Sequence, residues 1–270
     1  MPSVADNLDY WEATYDWDQR GDAWSGPWGD ASSQWYGSIF PRIRHFLPAQ
    51  SILEIAPGFG RWTHFLLNHC DRLIGVDLAP KCVKACQERF AGQNATFEVN
   101  DGQTLPMVAD SSIDFVFSYD SLVHVESETL ASYLSELARI LNPDGVAFLH
   151  HSNYGAYERS ARLFGPLQGV FDRTPTLIRA GLIRSGTYRG RHMRAPTVTA
   201  AGFAEQSHDV GLSCVAQELV NWEGGLLLLD CMSVVARPGS KWDHPRRLVK
   251  NRLFRTAARA VRRSDNAYKP

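Results

Sequence analysis

Between residues 51 and 151 short apolar runs alternate with longer amphipathic segments. The series reads SILEIA, RWTHFLLNHC, RLIGVD, APKCVKACQERFAG, ATFEVN, SIDFVFSYD, ESETLASYLSELARILN and GVAFLHHS. Runs such as GVAFL have no polar member, and SILEIA is apolar at four of its six positions, so as strands they must be covered on both faces. The segments between them repeat apolar residues at helical spacing and suit crossover helices. Strand and helix in strict alternation build a parallel sheet with right-handed connections, so the fold class is α/β.

The flanks read differently. Residues 1–48 hold Trp11, Tyr15, Trp17, Trp24, Trp28, Trp35 and Tyr36 among Gly21, Gly26, Pro27 and Gly29. A segment so often interrupted predicts an irregular aromatic cap, with a helix over about residues 32–46. The main domain is placed at residues 49–240. Within it, residues 152–196 lose the alternation and gather arginines, which predicts an insertion on the ligand side. Residues 197–210 then read as a helix, and LSCVAQELVNW and LLLLDCMSVVARP as two strands of an antiparallel edge hairpin, giving seven strands in all. Residues 241–270 predict a basic amphipathic helix, read either as docked with a solvated cationic face or as a contact for an anionic partner.

Composition narrows the classes. The 270 residues carry a net charge of −1, so no global field selects nucleic acid as a partner. The five scattered cysteines, with no zinc-like second pair, are expected as buried thiols. No stretch approaches the roughly 18–20 apolar residues that span a bilayer. The first residues have no apolar leader core, and the expected location is cytoplasmic.

The sharpest motif is Leu53-Glu54-Ile55-Ala56-Pro57-Gly58-Phe59-Gly60, which closes one strand and opens a helix. Gly58 and Gly60 permit a turn that sets bare backbone against a ligand, and the helix after it presents unpaired N–H groups. The second strand ends in Asp77, 23 residues after Glu54, close to the ~20 typical of a carboxylate that grips ribose hydroxyls. Asp101, in Asn100-Asp101-Gly102, follows the third strand and Asp120 the fourth. One such acid alone would read as a helix cap; four at the carboxyl edge of one sheet point to a site. Glu54 inside the turn would repel a diphosphate and suits a cationic ligand.

This run resembles the E/D-x-G-x-G-x-G loop of class I S-adenosylmethionine-dependent methyltransferases, with Ala56 in place of the first glycine. That departure is conservative unless the position needs positive φ. The resemblance covers residues 51–151 well and 197–237 loosely, and implies a Rossmann-like sheet with an antiparallel edge. It further implies that Glu54 and the loop at Ala56, Gly58 and Gly60 serve the amino-acid end of the cofactor. Asp77 would hold the ribose and Asp101 with Gly102 the adenine; Leu78, Tyr119 and Trp35 are further cofactor contacts. The segments LEIAPGFGRWTHFL, FSYDSLVHVE and FLHHSN are similar to bacterial sugar O-methyltransferases, including those of methylmannose polysaccharide.

A sugar hydroxyl needs help losing its proton, and histidine is the obvious base. His151 is the first candidate and His150 the second, since adjacent strand residues face opposite ways. His124, after the fourth strand, is a third. Asp120 is read as orienting a histidine or holding Mg2+, an optional second cofactor. Trp35, with Gln34 and Tyr36, is expected to line a sugar pocket, Arg61 and Trp62 to close over the cofactor, and the arginine-rich insertion to form the opposite wall. The expected partner is a carbohydrate or other small-molecule acceptor, with a homodimer as an allowed assembly and no nucleic acid. Amine or phenol methylation, RNA methylation and a non-catalytic cofactor-binding role remain as alternatives.

Overall fold

The computed structural model describes residues 3–157, 194–222 and 227–268. The strands are β1 (Ala49–Ile55), β2 (Cys70–Asp77), β3 (Ala95–Val99), β4 (Ile113–Ser118), β5 (Leu141–Ser152), β6 (Ser213–Val220), β7 (Asp230–Ala236) and β8 (Arg247–Asn251). They form a single sheet in the order β3-β2-β1-β4-β5-β7-β6-β8. β7 pairs antiparallel with β5 and β6, while every other pairing is parallel. This is the Rossmann-like methyltransferase fold, α/β with a mostly parallel sheet. Among the described residues it holds eight strands where the apolar runs predict seven, because β8 is a largely polar edge strand that no hydrophobic pattern announces.

The helices are α1 (Val4–Asp9), α2 (Ala31–Gln34), α3 (Phe40–Ile43), α4 (Thr63–Leu66), α5 (Pro80–Arg89), α6 (Ser127–Ile140), α7 (Ala200–Asp209) and α8 (Phe254–Tyr268). Alternation along the strands divides the core into two layers. Ile52, Phe115, Phe117 and Phe148 meet Trp35, Ile39 and Ile43 on one face. Leu53, Val116, Ala147 and Leu149 meet Leu130, Leu134 and Leu137 of α6 and Phe203 of α7 on the other. Both faces are covered, as an uninterrupted apolar strand requires.

The chain leaves β1 toward β2 and β3 at one side, then crosses back to β4 and β5 at the other. The order reverses between β1 and β4, and loops after neighbouring strands diverge there and leave a crevice at their carboxyl ends. Short helical pieces within residues 4–24 lie over that crevice, while residues 28–43 pack on one face of the sheet. Ser3 caps α1 by accepting from the Asp6 N–H (3.1 Å), and Asp30 caps α2 by accepting from the Ser33 N–H (2.8 Å). The basic tail divides into β8 and α8 instead of forming one helix.

Candidate active site

A cleft of about 1150 Å³, open mouth included, occupies the crevice. Its floor is the loop after β1 (Ala56 to Phe59), Asp77 and Leu78 after β2, Asn100 and Gly102 after β3, and Tyr119 to Val125 after β4. Its roof is the N-terminal segment, with Val4, Asn7, Trp11, Trp17, Arg20 and Trp24, and Arg194 and Trp222 close the far side.

The floor is fixed by hydrogen bonds. Asp77 accepts from the Gly58 N–H (3.0 Å) and the Ala79 N–H (2.9 Å), which ties the turn after β1 to the end of β2. Burial pushes its pKa up to about 6 against the pull of those amides. Ala56 has φ of +57°, so this position does need a left-handed backbone and the alanine carries strain where glycine would carry none. Its N–H donates to Val76 O (2.7 Å) and its carbonyl accepts from the Ser121 hydroxyl (3.1 Å), holding the strained residue on both sides. Gly58, at φ +59°, lies under the Trp17 indole: a Cβ there would stand 2.8 Å from the ring. Trp17 also stacks on Phe59 at 4.6 Å, so the cap seals directly onto the glycine loop.

Several sequence expectations need correction. Glu54 does not line the cleft. It is buried beneath the loop, where its Oε2 accepts from the Thr63 hydroxyl (2.5 Å) at the start of α4, and burial pushes its pKa up to about 8. Gly60 meets core instead of cleft, since a Cβ there would stand 2.4 Å from Phe90. Asp101 turns to solvent and caps its own loop, accepting from the N–H groups of Gln103 (2.8 Å) and Thr104 (2.6 Å). Asn100 and Gly102, its neighbours, face the cleft. Trp35 is fully buried in the core, stacked on Phe65 at 4.9 Å, with Gln34 buried beside it; Trp11, Trp17 and Trp24 are the tryptophans of the cap that reach the cleft. Leu78 and Tyr119 line it. The arginines of the insertion up to Arg191 fall outside the described residues; Arg194 is at the cleft wall.

The histidines separate by face. His151 points away from the cleft, stacked on Phe203 at 4.1 Å, with Nε2 2.8 Å from the Ser233 hydroxyl and Nδ1 2.8 Å from Ser152 O. Burial lowers its pKa to about 4. It is a neutral core histidine and cannot reach an acceptor. His150 faces the cleft side but is enclosed, sandwiched between Tyr119 (4.7 Å) and Trp222 (5.4 Å). Its Nδ1 accepts from the Asp120 N–H (3.1 Å), which puts the ring proton on Nε2, 3.6 Å from Asp230 Oδ2. Burial alone would raise Asp230, but the Arg194 guanidinium overrides it and holds this carboxylate well below the usual range. His124 lines the cleft, its ring 5.5 Å from that of Trp11.

Asp120 is the cleft carboxylate these contacts organise. Its φ is +65°, a strained value for a non-glycine residue. His150 fixes its N–H, and Arg61 donates from Nη2 to its Oδ2 at 2.9 Å. That cation already fills the place expected for magnesium. Among the described residues no group of three His, Cys, Asp or Glu side chains could hold a metal ion. On the same wall the Arg61 guanidinium lies over the Trp62 ring (4.5 Å), and Trp62 stands edge-on to Tyr119 (5.9 Å). Arg61 Nη1 and Trp62 Nε1 are buried without a hydrogen-bond partner among the described residues, while the Tyr119 hydroxyl is directed toward buried Gln34. Burial, reinforced by Asp120, raises the Tyr119 pKa, so its hydroxyl stays a donor.

Residues 52–145 match the family model of a methyltransferase domain. The biotin biosynthesis bifunctional protein BioHC of Cellvibrio japonicus is 33% identical over 116 residues, 42% of this chain and 22% of its own length. Phosphoethanolamine N-methyltransferase 1 of Triticum aestivum is 26% identical over 132 residues, 47% of this chain and 26% of its own. The matched stretch thus spans about a quarter of these curated relatives. Among solved structures, the DhpI–SAH complex superposes with a TM-score of 0.55 at 18% identity, covering 88% of this chain and 98% of that one. Magnesium protoporphyrin IX methyltransferase of Synechocystis PCC 6803, with bound SAH, gives 0.53 at 16% identity, covering 87% and 100%. At these identities the structural likeness establishes the fold alone.

Proposed function

We propose that this chain is an S-adenosylmethionine-dependent methyltransferase whose acceptor is a hydroxyl of a sugar or related polyol. The observation that carries the reading is that Asp77 and the left-handed turn at Ala56 and Gly58 face one cleft at the switch point of the sheet, within the stretch that matches a methyltransferase domain. The residues fit this cofactor. Asp77 keeps lone pairs beyond its two loop amides for a ribose diol. Gly102, at φ +78°, leaves a space that a Cβ would close against Leu78 and Val4 (3.2 Å each), a slot suited to a flat base. When bound, the cofactor supplies an activated methyl on a sulfonium centre, and the protein's task is alignment and exclusion of water.

The acceptor side follows from the wall opposite. Arg61 Nη1 and Trp62 Nε1 offer donors to acceptor oxygens, and the indoles of the cap offer flat apolar faces on which a pyranose can stack. Asp120 takes the role the sequence assigned to His151. Held by Arg61 and by the His150 ring, it receives the hydrogen bond of the reacting hydroxyl and takes its proton as the methyl transfers. His150 serves it as a positioning residue, its tautomer set by the Asp120 N–H, with the Asp230 carboxylate 3.6 Å from its Nε2.

Radiolabelled methyl transfer onto a panel of sugars, amines and phenols tests the assignment. The reading expects labelled sugars, and an Asp120→Asn variant that binds cofactor normally but turns over at least a hundredfold more slowly. The cluster of Trp11, Tyr15, Trp17 and Trp24 would also suit a cationic amine. Preferential labelling of amines, untouched by Asp120→Asn, would replace the hydroxyl reading with that one.

A further inference from the structure

The end of the chain carries a surface that the cleft does not use. Between Asp243 and Asp265 the sequence contains eight cations and no carboxylate: Arg246, Arg247, Lys250, Arg252, Arg255, Arg259, Arg262 and Arg263. Among the described residues β8 is the outermost strand, paired through one edge with β6 and with no strand along the other. Leu248 and Val249 point to opposite faces of it, yet both are half exposed, at 50% and 54%. Leu253, in the turn from β8 into α8, is 68% exposed. Few large apolar side chains of the described residues are so open to water, and these three lie within six positions of one another.

Cations on an open edge deter unwanted strand pairing, which would account for Arg247 and Lys250. It does not account for three large aliphatic side chains left in solvent beside them. Helix α8 continues the pattern. Phe254 and Ala258 are buried and Val261 is partly buried against the core, while Arg259, Arg262 and Arg263 stay exposed on the outer side. The turn is anchored: Asn221 donates to Arg252 O (2.7 Å) and Phe254 stacks on Trp222 (5.8 Å), so the apolar tip is presented from a rigid base.

We infer that the β8 edge and the turn at Leu253 form a docking surface for an anionic lipid membrane, with Leu248, Val249 and Leu253 entering the interface and the surrounding arginines and lysine meeting lipid phosphates. Aliphatic side chains ringed by cations complement a bilayer surface, which offers negative charge outside and hydrocarbon beneath. A second copy of this surface would set like charges against each other. A nucleic acid would match the cations but gain nothing from exposed leucines. Because Trp222 is shared by the turn and the cleft wall, the docked face adjoins the candidate active site. The inference stands independently of the proposed acceptor.

The test is co-sedimentation of the full chain with phosphatidylcholine vesicles, with and without about one-third phosphatidylglycerol, at low salt and at ~0.5 M salt. Binding is expected only to the anionic vesicles, and to fall with salt. An Arg247→Gln, Lys250→Gln, Arg252→Gln triple variant should bind at least tenfold more weakly, given roughly fivefold per cation. Leu253→Ser, at a largely exposed position, should lose about tenfold with an unchanged melting temperature. No binding, equal binding to uncharged vesicles, or indifference to Leu253→Ser would overturn the inference. So would displacement from anionic vesicles by transfer RNA at equal or lower concentration.

Discussion

Ala56 carries strain of about 1 kcal/mol for its left-handed backbone, held by Val76 O and the Ser121 hydroxyl. Ala56→Gly removes that strain but frees the unfolded chain, so the expected gain in stability is small, below about 1 kcal/mol, read as a modest rise in melting temperature. A fall would show that the alanine methyl packs productively. Glu54 gives a pH-dependent prediction. Its folded pKa of about 8 lies above the ordinary value, so the folded state favours the protonated acid. Its contribution is fully present below the unfolded pKa and is lost as pH rises toward 8. Glu54→Gln keeps the acceptor for Thr63 and cannot ionise. The variant should match the parent near pH 4 and exceed it by about 4 kcal/mol at pH 8, in paired thermal melts. The opposite trend would mean that Glu54 is charged in the fold.

Elements decide which residues the sequence reveals. Asp77 and Asp120 are legible because the apolar runs before them fix where β2 and β4 end. The side-chain direction of Asp101 is not, since a turn residue answers to local N–H groups instead of the sheet's periodicity. Trp35 could have been read as core: Ala31, Trp35, Ile39 and Ile43 repeat every four residues and are all buried. Trp17 has no such pattern, and its place over Gly58 depends on how an irregular segment folds back. Trp17→Ala should therefore weaken S-adenosylhomocysteine binding about tenfold by calorimetry with little change in melting temperature. In β5, alternation puts His150 and His151 on opposite faces, but only the structure shows which face is which. His151→Ala is expected to destabilise the fold by about 2–4 kcal/mol through a cavity beside Phe203 and the loss of one of the hydrogen bonds of the Ser233 hydroxyl, without a specific effect on turnover. Loss of activity in a fully stable variant would contradict that placement.

At the scale of the molecule, the sheet order follows from the strand–helix alternation of residues 51–151, while the cap, β8 and the far cleft wall come from segments with no regular period. On the proposed reading, the crevice between β1 and β4, closed by the cap, takes S-adenosylmethionine. Calorimetric titration with S-adenosylhomocysteine of the parent chain and of Gly58→Val tests it most directly. The valine would have to adopt φ near +59° with its Cβ 2.8 Å from Trp17. Saturable one-to-one binding by the parent and none by a folded Gly58→Val is the predicted result. No binding by the parent, or equal affinity in both, would contradict the account.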